Sequence, residues 1–111
     1  MTKLSEMKCS AGGQAKALGE ADITAHLLQL ADWQRDASNL HEIVKTFRFK
    51  NYYETIAFVN ASAWISHAED HHPDIGLQYN RCVVRYSTHD AGGITLNDFI
   101  CASKLDQLCI K

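Results

Sequence analysis

The apolar positions of the 111-residue chain change their period along its length. Residues 1–20, MTKLSEMKCSAGGQAKALGE, follow no clear period, and Gly12-Gly13 interrupt them. They predict a flexible N-terminal leader ahead of a single domain over 21–111. ADITAHLLQL comes next, where Asp22 is placed to cap a short helix carrying Ile23, Leu27, Leu28 and Leu30. From Trp33 the pattern turns strand-like. Ile43, Phe47 and Phe49 alternate with Glu42, Thr46 and Arg48, and Asp36, Ser38 and Asn39 supply a turn back to a shorter strand near Trp33. Residues 51–71 return to steps of three and four, with Phe58, Ala61, Ile65, Ala68 and His72 on one stripe and Tyr53, Ala57, Asn60, Trp64, His67 and His71 on another. Asn51 with Glu54 three positions on marks the helix start, and Pro73 disfavours helical geometry at His72, so the helix should end there. Two strands joined near Tyr79-Asn80-Arg81 follow, the second placing Cys82, Val84 and Tyr86 on one face. After Asp90-Ala91-Gly92-Gly93, Thr95 and Asp98 form a weak capping box for a last helix with Asp98, Cys101, Leu105 and Leu108 on one stripe. The order helix, strand pair, helix, strand pair, helix predicts an α+β fold, an antiparallel sheet with helices packed on one face.

The charges concentrate where the long helix ends. HAEDHHPD, residues 67–74, puts three histidines and three carboxylates into eight positions. Two chemistries compete for such a run. His67 and His71, one helical turn apart, could share a metal ion with Asp70, Glu69 or Asp74, although HExxH is absent and His41-Glu42 is followed by Lys45 where a second histidine would be needed. The other chemistry is proton transfer. Imidazole titrates near neutrality, and a helix C-terminus and neighbouring acids favour its cation while burial opposes it. Each residue also has a plain structural use: His72 as a core histidine, His67 as a helix-end charge, His89 and Asp74 as turn residues, Asp98 as a cap. His26 and His41 read as surface residues.

Composition narrows the field. A formal charge of −2 gives no broad electrostatic case for binding nucleic acid, and no apolar run is long enough to span a bilayer. Cys9, Cys82, Cys101 and Cys109 have no CxxC spacing. Cys82, Cys101 and Cys109 read as small buried hydrophobes and Cys9 as a free thiol, and the expected setting is a reducing cytoplasm. No GxSxG, Walker or dinucleotide fingerprint occurs.

The stretch HHPDIGLQYNRCVVRYSTHDAGGITLNDF resembles the pterin-4a-carbinolamine dehydratase family. The residues that carry the likeness are His71-His72-Pro73, Tyr79-Asn80-Arg81, Thr88-His89, Gly92-Gly93 and Asp98, with Trp33 and FRFKNYYETIAFV upstream; it covers residues from about 22 to 109. The resemblance implies a four-stranded antiparallel sheet with helices on one side. It implies loss of water from 4a-hydroxytetrahydrobiopterin to give quinonoid dihydropterin, without metal or organic cofactor, in recycling the pterin of aromatic amino acid hydroxylases. His71, His72 and His89 would line the pterin pocket, with His71 and His89 moving protons and His72 holding the pterin. Asp98, Asp70 and Thr88 would bind substrate or orient a histidine. A homodimer or homotetramer is implied, and an aromatic amino acid hydroxylase is a candidate partner. Animal members of the family also serve as dimerisation cofactors of a homeodomain transcription factor, so a non-enzymatic binding role is the alternative. Animal members carry an acid where this chain has His67, so no family role passes to that residue.

Overall fold

The computed structural model describes residues 3–11 and 13–109. Helix α1 (Glu20–Leu27) leads into strands β1 (Gln34–Asp36) and β2 (Asn39–Arg48), then helix α2 (Tyr52–Glu69), strands β3 (Asp74–Gln78) and β4 (Arg81–Tyr86), and helix α3 (Leu96–Gln107). Short 3-10 turns occupy Leu4–Glu6 and His89–Ala91. The four strands form one sheet in the order β1-β2-β4-β3, antiparallel at every neighbour. This is the α+β arrangement and element order that the periodicity predicts.

The period of two explains the sheet. Its register sets Ile43 beside Tyr86, Lys45 beside Val84 and Phe47 beside Cys82. Of this row Ile43, Phe47, Cys82, Val84 and Tyr86 are buried, whereas Val44, Thr46, Val83 and Arg85 on the other face are half-buried or exposed. The inward row meets α3, whose Phe99, Ile100, Cys101, Ala102 and Leu105 join the same core. Full burial of side chains of this size contributes about 1.5–3 kcal/mol each. Lys45 donates from Nζ to Asp106 Oδ1 at 2.9 Å, and Trp33 Nε1 donates to the same carboxylate at 3.1 Å, so sheet and helix are also tied by polar contacts.

Several details depart from the sequence expectation. Helix α1 starts at Glu20 with Gly19 as its N-cap, so Asp22 lies in its first turn rather than capping it; both acids there complement the helix dipole. Leu28 follows the helix and is exposed. In α2 the buried stripe is Thr55, Phe58, Ser62 and Ser66, while Ala61 and Ala68 face outward. Hydroxyls tolerate burial here because each bonds a backbone carbonyl: Thr55 Oγ1 to Asn51 O at 2.9 Å, Ser62 Oγ to Val59 O at 2.7 Å, and Ser66 Oγ to Ser62 O at 3.2 Å. Asp74 opens β3 instead of forming a turn. Leu108 and Cys109 are exposed, since α3 stops at Gln107. His26 is half-buried with its ring 5.1 Å from that of Phe99.

The stretch expected as a flexible leader makes specific contacts. Leu4 is buried in the core, and the turn around it packs on α3. Cys9 N–H donates to Glu69 Oε1 at 2.8 Å, and Ser10 N–H to Asn97 Oδ1 at 2.9 Å. Leu18 N–H reaches Ile94 O at 2.8 Å. These bonds join backbone to distant side chains or backbone, and such pairing leaves no periodic signature in the sequence. Gly12, half of the expected break, is outside the described residues.

Candidate active site

Helix α2 ends one turn earlier than its proline suggests. Asp70 adopts the left-handed conformation, φ 51° and ψ 45°. The His71 N–H returns to Ser66 O at 3.1 Å and the Asp70 N–H to His67 O at 3.3 Å. This is the hydrogen-bond pattern of a Schellman ending, with an aspartate in the place glycine usually takes. It carries His71 out of helical register. His71 therefore does not share a face with His67, as the spacing predicts. His67 stays exposed on α2, while the His71 side chain is 12% exposed and turned inward. Among the described residues no group of three or more His, Cys, Asp and Glu side chains is placed to hold a metal ion.

What His71 meets is Asp98. Its Nε2 lies 2.6 Å from Asp98 Oδ1, and the carboxylate is fully buried. The other oxygen, Oδ2, accepts from Thr95 N–H at 2.8 Å and from Thr88 Oγ1 at 3.0 Å. Thr88 spends its only proton on Asp98, so Thr95 Oγ1 is the donor in the 2.8 Å contact between the two hydroxyls. Asp98 stands in the first turn of α3, where free N–H groups favour negative charge. A carboxylate that accepts from three sides places a proton on Nε2 of His71 and turns Nδ1 away from Asp98. The His71 ring also stacks on Tyr86, with centroids 5.8 Å apart and planes inclined by 11°. Ring and acid together remove the freedom of the imidazole.

The same contact brings in the second loop. Thr88 precedes the 3-10 turn His89–Ala91, and Gly92 closes that turn with φ 73°, a conformation suited to glycine. Thr88 N–H and Gly93 O pair at 3.1 Å, which fastens the loop's two ends. His89 is exposed and lines a cavity of about 230 Å³ with Thr88, Ser87, Gly92, His41 and Glu42. His72 and Asp70 are exposed on the connection between α2 and β3. The structure thus bonds His71, Asp98 and Thr88 into one unit, with His89 next to Thr88 along the chain and the exposed Asp70 and His72 on either side of His71 in sequence. A larger groove of about 680 Å³ lies elsewhere, along α2 past Phe49, Tyr53 and Ala61, and has no histidine in its lining.

Tyr86 and Thr95 are parts of the site that sequence reasoning placed only as a core residue and a cap. The alternation Cys82, Val84, Tyr86 marked the ring as inward-facing, but nothing in the sequence pairs it with His71. Burial, with the nearby Cys101, Cys9 and Asp98, pushes the Tyr86 phenol well above its usual range, so it is a neutral group whose buried Oη has no hydrogen-bond partner among the described residues. His41 is exposed as expected, yet it faces the cavity of His89.

The model of the pterin 4 alpha carbinolamine dehydratase family matches residues 16–108. A protein of Xanthomonas campestris pv. campestris (strain B100), provisionally named pterin-4-alpha-carbinolamine dehydratase, is 56% identical over 86% of this chain and 80% of its own. A protein of Stenotrophomonas maltophilia (strain R551-3) with the same provisional name is 54% identical over 86% of this chain and 82% of its own. Among solved structures, a transcriptional coactivator/pterin dehydratase from Brucella melitensis superposes with a TM-score of 0.81 at 28% identity, over 86% of this chain and all of that one. A match across this much of the sequence, joined to the same fold, places the chain in the pterin 4 alpha carbinolamine dehydratase family.

Proposed function

We propose that the chain is a hydro-lyase acting on 4a-hydroxytetrahydrobiopterin. The C4a–O bond breaks and the hydroxyl leaves as water after taking a proton. The proton on N5 departs, and the C4a=N5 double bond of the quinonoid dihydropterin forms. The elimination asks for an acid at one atom and a base at its neighbour, both near neutral pH. His71 and His89 exchange these two protons, and His72 holds the pterin, with Asp70 beside it. Asp98 and Thr88 are positioning residues that act through His71. The observation that carries the reading is the buried His71–Asp98 contact of 2.6 Å, because it leaves one imidazole nitrogen committed and the other available. The steps invoke neither a metal nor an organic cofactor. The product serves pterin recycling for aromatic amino acid hydroxylation in a reducing cytoplasm. No helix among the described residues is long and apolar enough to cross a membrane.

The test mixes the purified chain with freshly generated 4a-carbinolamine and follows quinonoid dihydropterin by absorbance. The parent accelerates its appearance, and the variant with both His71→Ala and His89→Ala does not. A double variant as fast as the parent would end the assignment.

A second reading, binding to another protein, is favoured by the outer face of α2. Tyr53 is 81% exposed and Trp64 74%, with Ala57, Ala61 and Ala68 between and beyond them. A face of this kind suits a helix-to-helix contact in a homodimer or homotetramer, or with a hydroxylase or transcription regulator. Light scattering gives the subunit number, and a pull-down that persists after loss of His71 and His89 separates binding from catalysis.

A further inference from the structure

We propose that Cys9 and Cys101 are a redox-active pair, at which a peroxide joins the N-terminal segment to helix α3 through a disulfide. Their sulfurs lie 3.5 Å apart although 92 positions separate them in the chain. The backbone on the Cys9 side is already held. Its N–H donates to Glu69 Oε1 at 2.8 Å, and Ser10 exchanges bonds with Asn97, 2.9 Å from N to Oδ1 and 3.2 Å from Nδ2 to O. The long loop is therefore closed before any covalent chemistry, and the sulfurs have about 1.5 Å to travel to reach bonding distance.

Exposure orders the steps. Cys9 is half-buried and Cys101 fully buried, so the oxidant meets Cys9 first. Hydrogen peroxide transfers one oxygen to the Cys9 sulfur, giving a sulfenic acid and one water. The Cys101 sulfur then attacks the Cys9 sulfur and the S–O bond breaks. The departing hydroxide takes up the Cys101 proton as a second water. Two thiols and one peroxide give one disulfide and two waters. The hydrogen bond with Cys9, and then burial, push the Cys101 thiol up, which disfavours its thiolate and leaves Cys9 as the sulfur that meets the oxidant.

The location gives the bond a consequence. Glu69 immediately precedes Asp70-His71-His72, and Asn97 immediately precedes Asp98. The segment that carries Cys9 touches both elements that position the His71–Asp98 pair. The disulfide fixes this strap where the site is assembled.

The full chain is treated with one equivalent of hydrogen peroxide, digested without reduction and mapped by mass spectrometry. The expected product is a peptide linking Cys9 to Cys101, with two of the four thiols lost. Closing a loop of this length raises Tm by roughly 10 °C, reversed by dithiothreitol. Cys9→Ser, a change at the more exposed partner, keeps the Tm of the reduced parent within a few degrees and shows neither the link nor the rise. The proposal is overturned if Cys9 goes on to the sulfinate while Cys101 remains a thiol. It is equally overturned if the peroxide-induced rise in Tm persists in Cys9→Ser.

Discussion

Helices α2 and α3 each deliver one half of the candidate site, and they are built on opposite plans. Helix α3 is buried along most of its length: Asn97, Asp98, Phe99, Ile100, Cys101, Ala102 and Leu105 are all inside. It gives the site from its beginning, where Asp98 sits in the first turn. Helix α2 buries Thr55, Phe58, Ser62 and Ser66 and turns Tyr53 and Trp64 to the outside. It gives the site from its end, where the chain leaves helical geometry at Asp70. One helix is the anchor and holds the acid that orients. The other is a mount whose outward face is available for other contacts, and the chain just past its end offers His71 and His72. Damage to α3 should therefore cost stability and chemistry together, while damage to the outside of α2 should leave the monomer intact.

The sharpest way to break that contrast is at Asp98. Asp98→Ala strands His71, Thr88 and the Thr95 N–H in a buried setting, and the loss of stability should be about 3 kcal/mol or more. Asp98→Asn keeps the volume and one acceptor oxygen. It should retain the fold while turnover of the carbinolamine falls by about 100-fold or more, because the His71 tautomer is no longer enforced. Urea unfolding and the absorbance assay measure the two effects. A fully active Asp98→Asn would reduce the carboxylate to a helix cap.

A matched pair of truncations tests the two plans away from the chemistry. Leu105 is wholly buried on α3, and Leu105→Ala should cost about 3 kcal/mol through the cavity it leaves. Trp64→Ala removes a larger side chain from α2, but an exposed one, and should change the stability of the monomer by less than about 0.5 kcal/mol. If Trp64→Ala costs as much as Leu105→Ala in dilute protein that scatters light as a monomer, the outer face of α2 is not free.

The sequence was most legible where one physical rule dominated. The period of two identified the inward row of β2 and β4, and the stripe through Asp98, Cys101 and Leu105 identified the face of α3. The long helix was placed correctly by its period, but its buried stripe was not. Burial of Ser62 and Ser66 depends on carbonyls one turn back accepting their hydroxyls, and hydrophobicity carries no trace of that. The end of α2 was misjudged for a similar reason. Pro73 limits the residue before it, whereas Asp70 ends the helix by entering the left-handed region, a conformation that favours glycine. That single residue decides whether His71 lies beside His67 or against Asp98. The His71–Asp98 pairing joins positions 27 apart in sequence, and only packing could reveal it. The backbone bonds of Cys9 and Ser10 were illegible because they run to the side chains of Glu69 and Asn97.

The smallest effect concerns the point where the two helices and the strap meet. Glu69, the last residue of α2, accepts from Cys9 N–H at 2.8 Å and lies 3.5 Å from Lys104 Nζ on α3. Burial alone would raise its pKa, but the Cys9 N–H and the Lys104 charge outweigh burial and hold the carboxyl below its ordinary value of 4.5. A depressed pKa in the folded state means that folding favours the charged form. The stabilisation is present above about pH 4.5, the unfolded value, and is lost as pH falls through the folded one. Glu69→Gln lacks this contribution at every pH. Its Tm should lie a few degrees below the parent at pH 7, and the gap should narrow as the pH is taken from 5 towards 3. Calorimetry of both proteins across that range is the measurement. A gap that stays constant would mean that Glu69 contributes by shape and hydrogen bonding alone, and that its charge does not help hold α2, α3 and the N-terminal strap together.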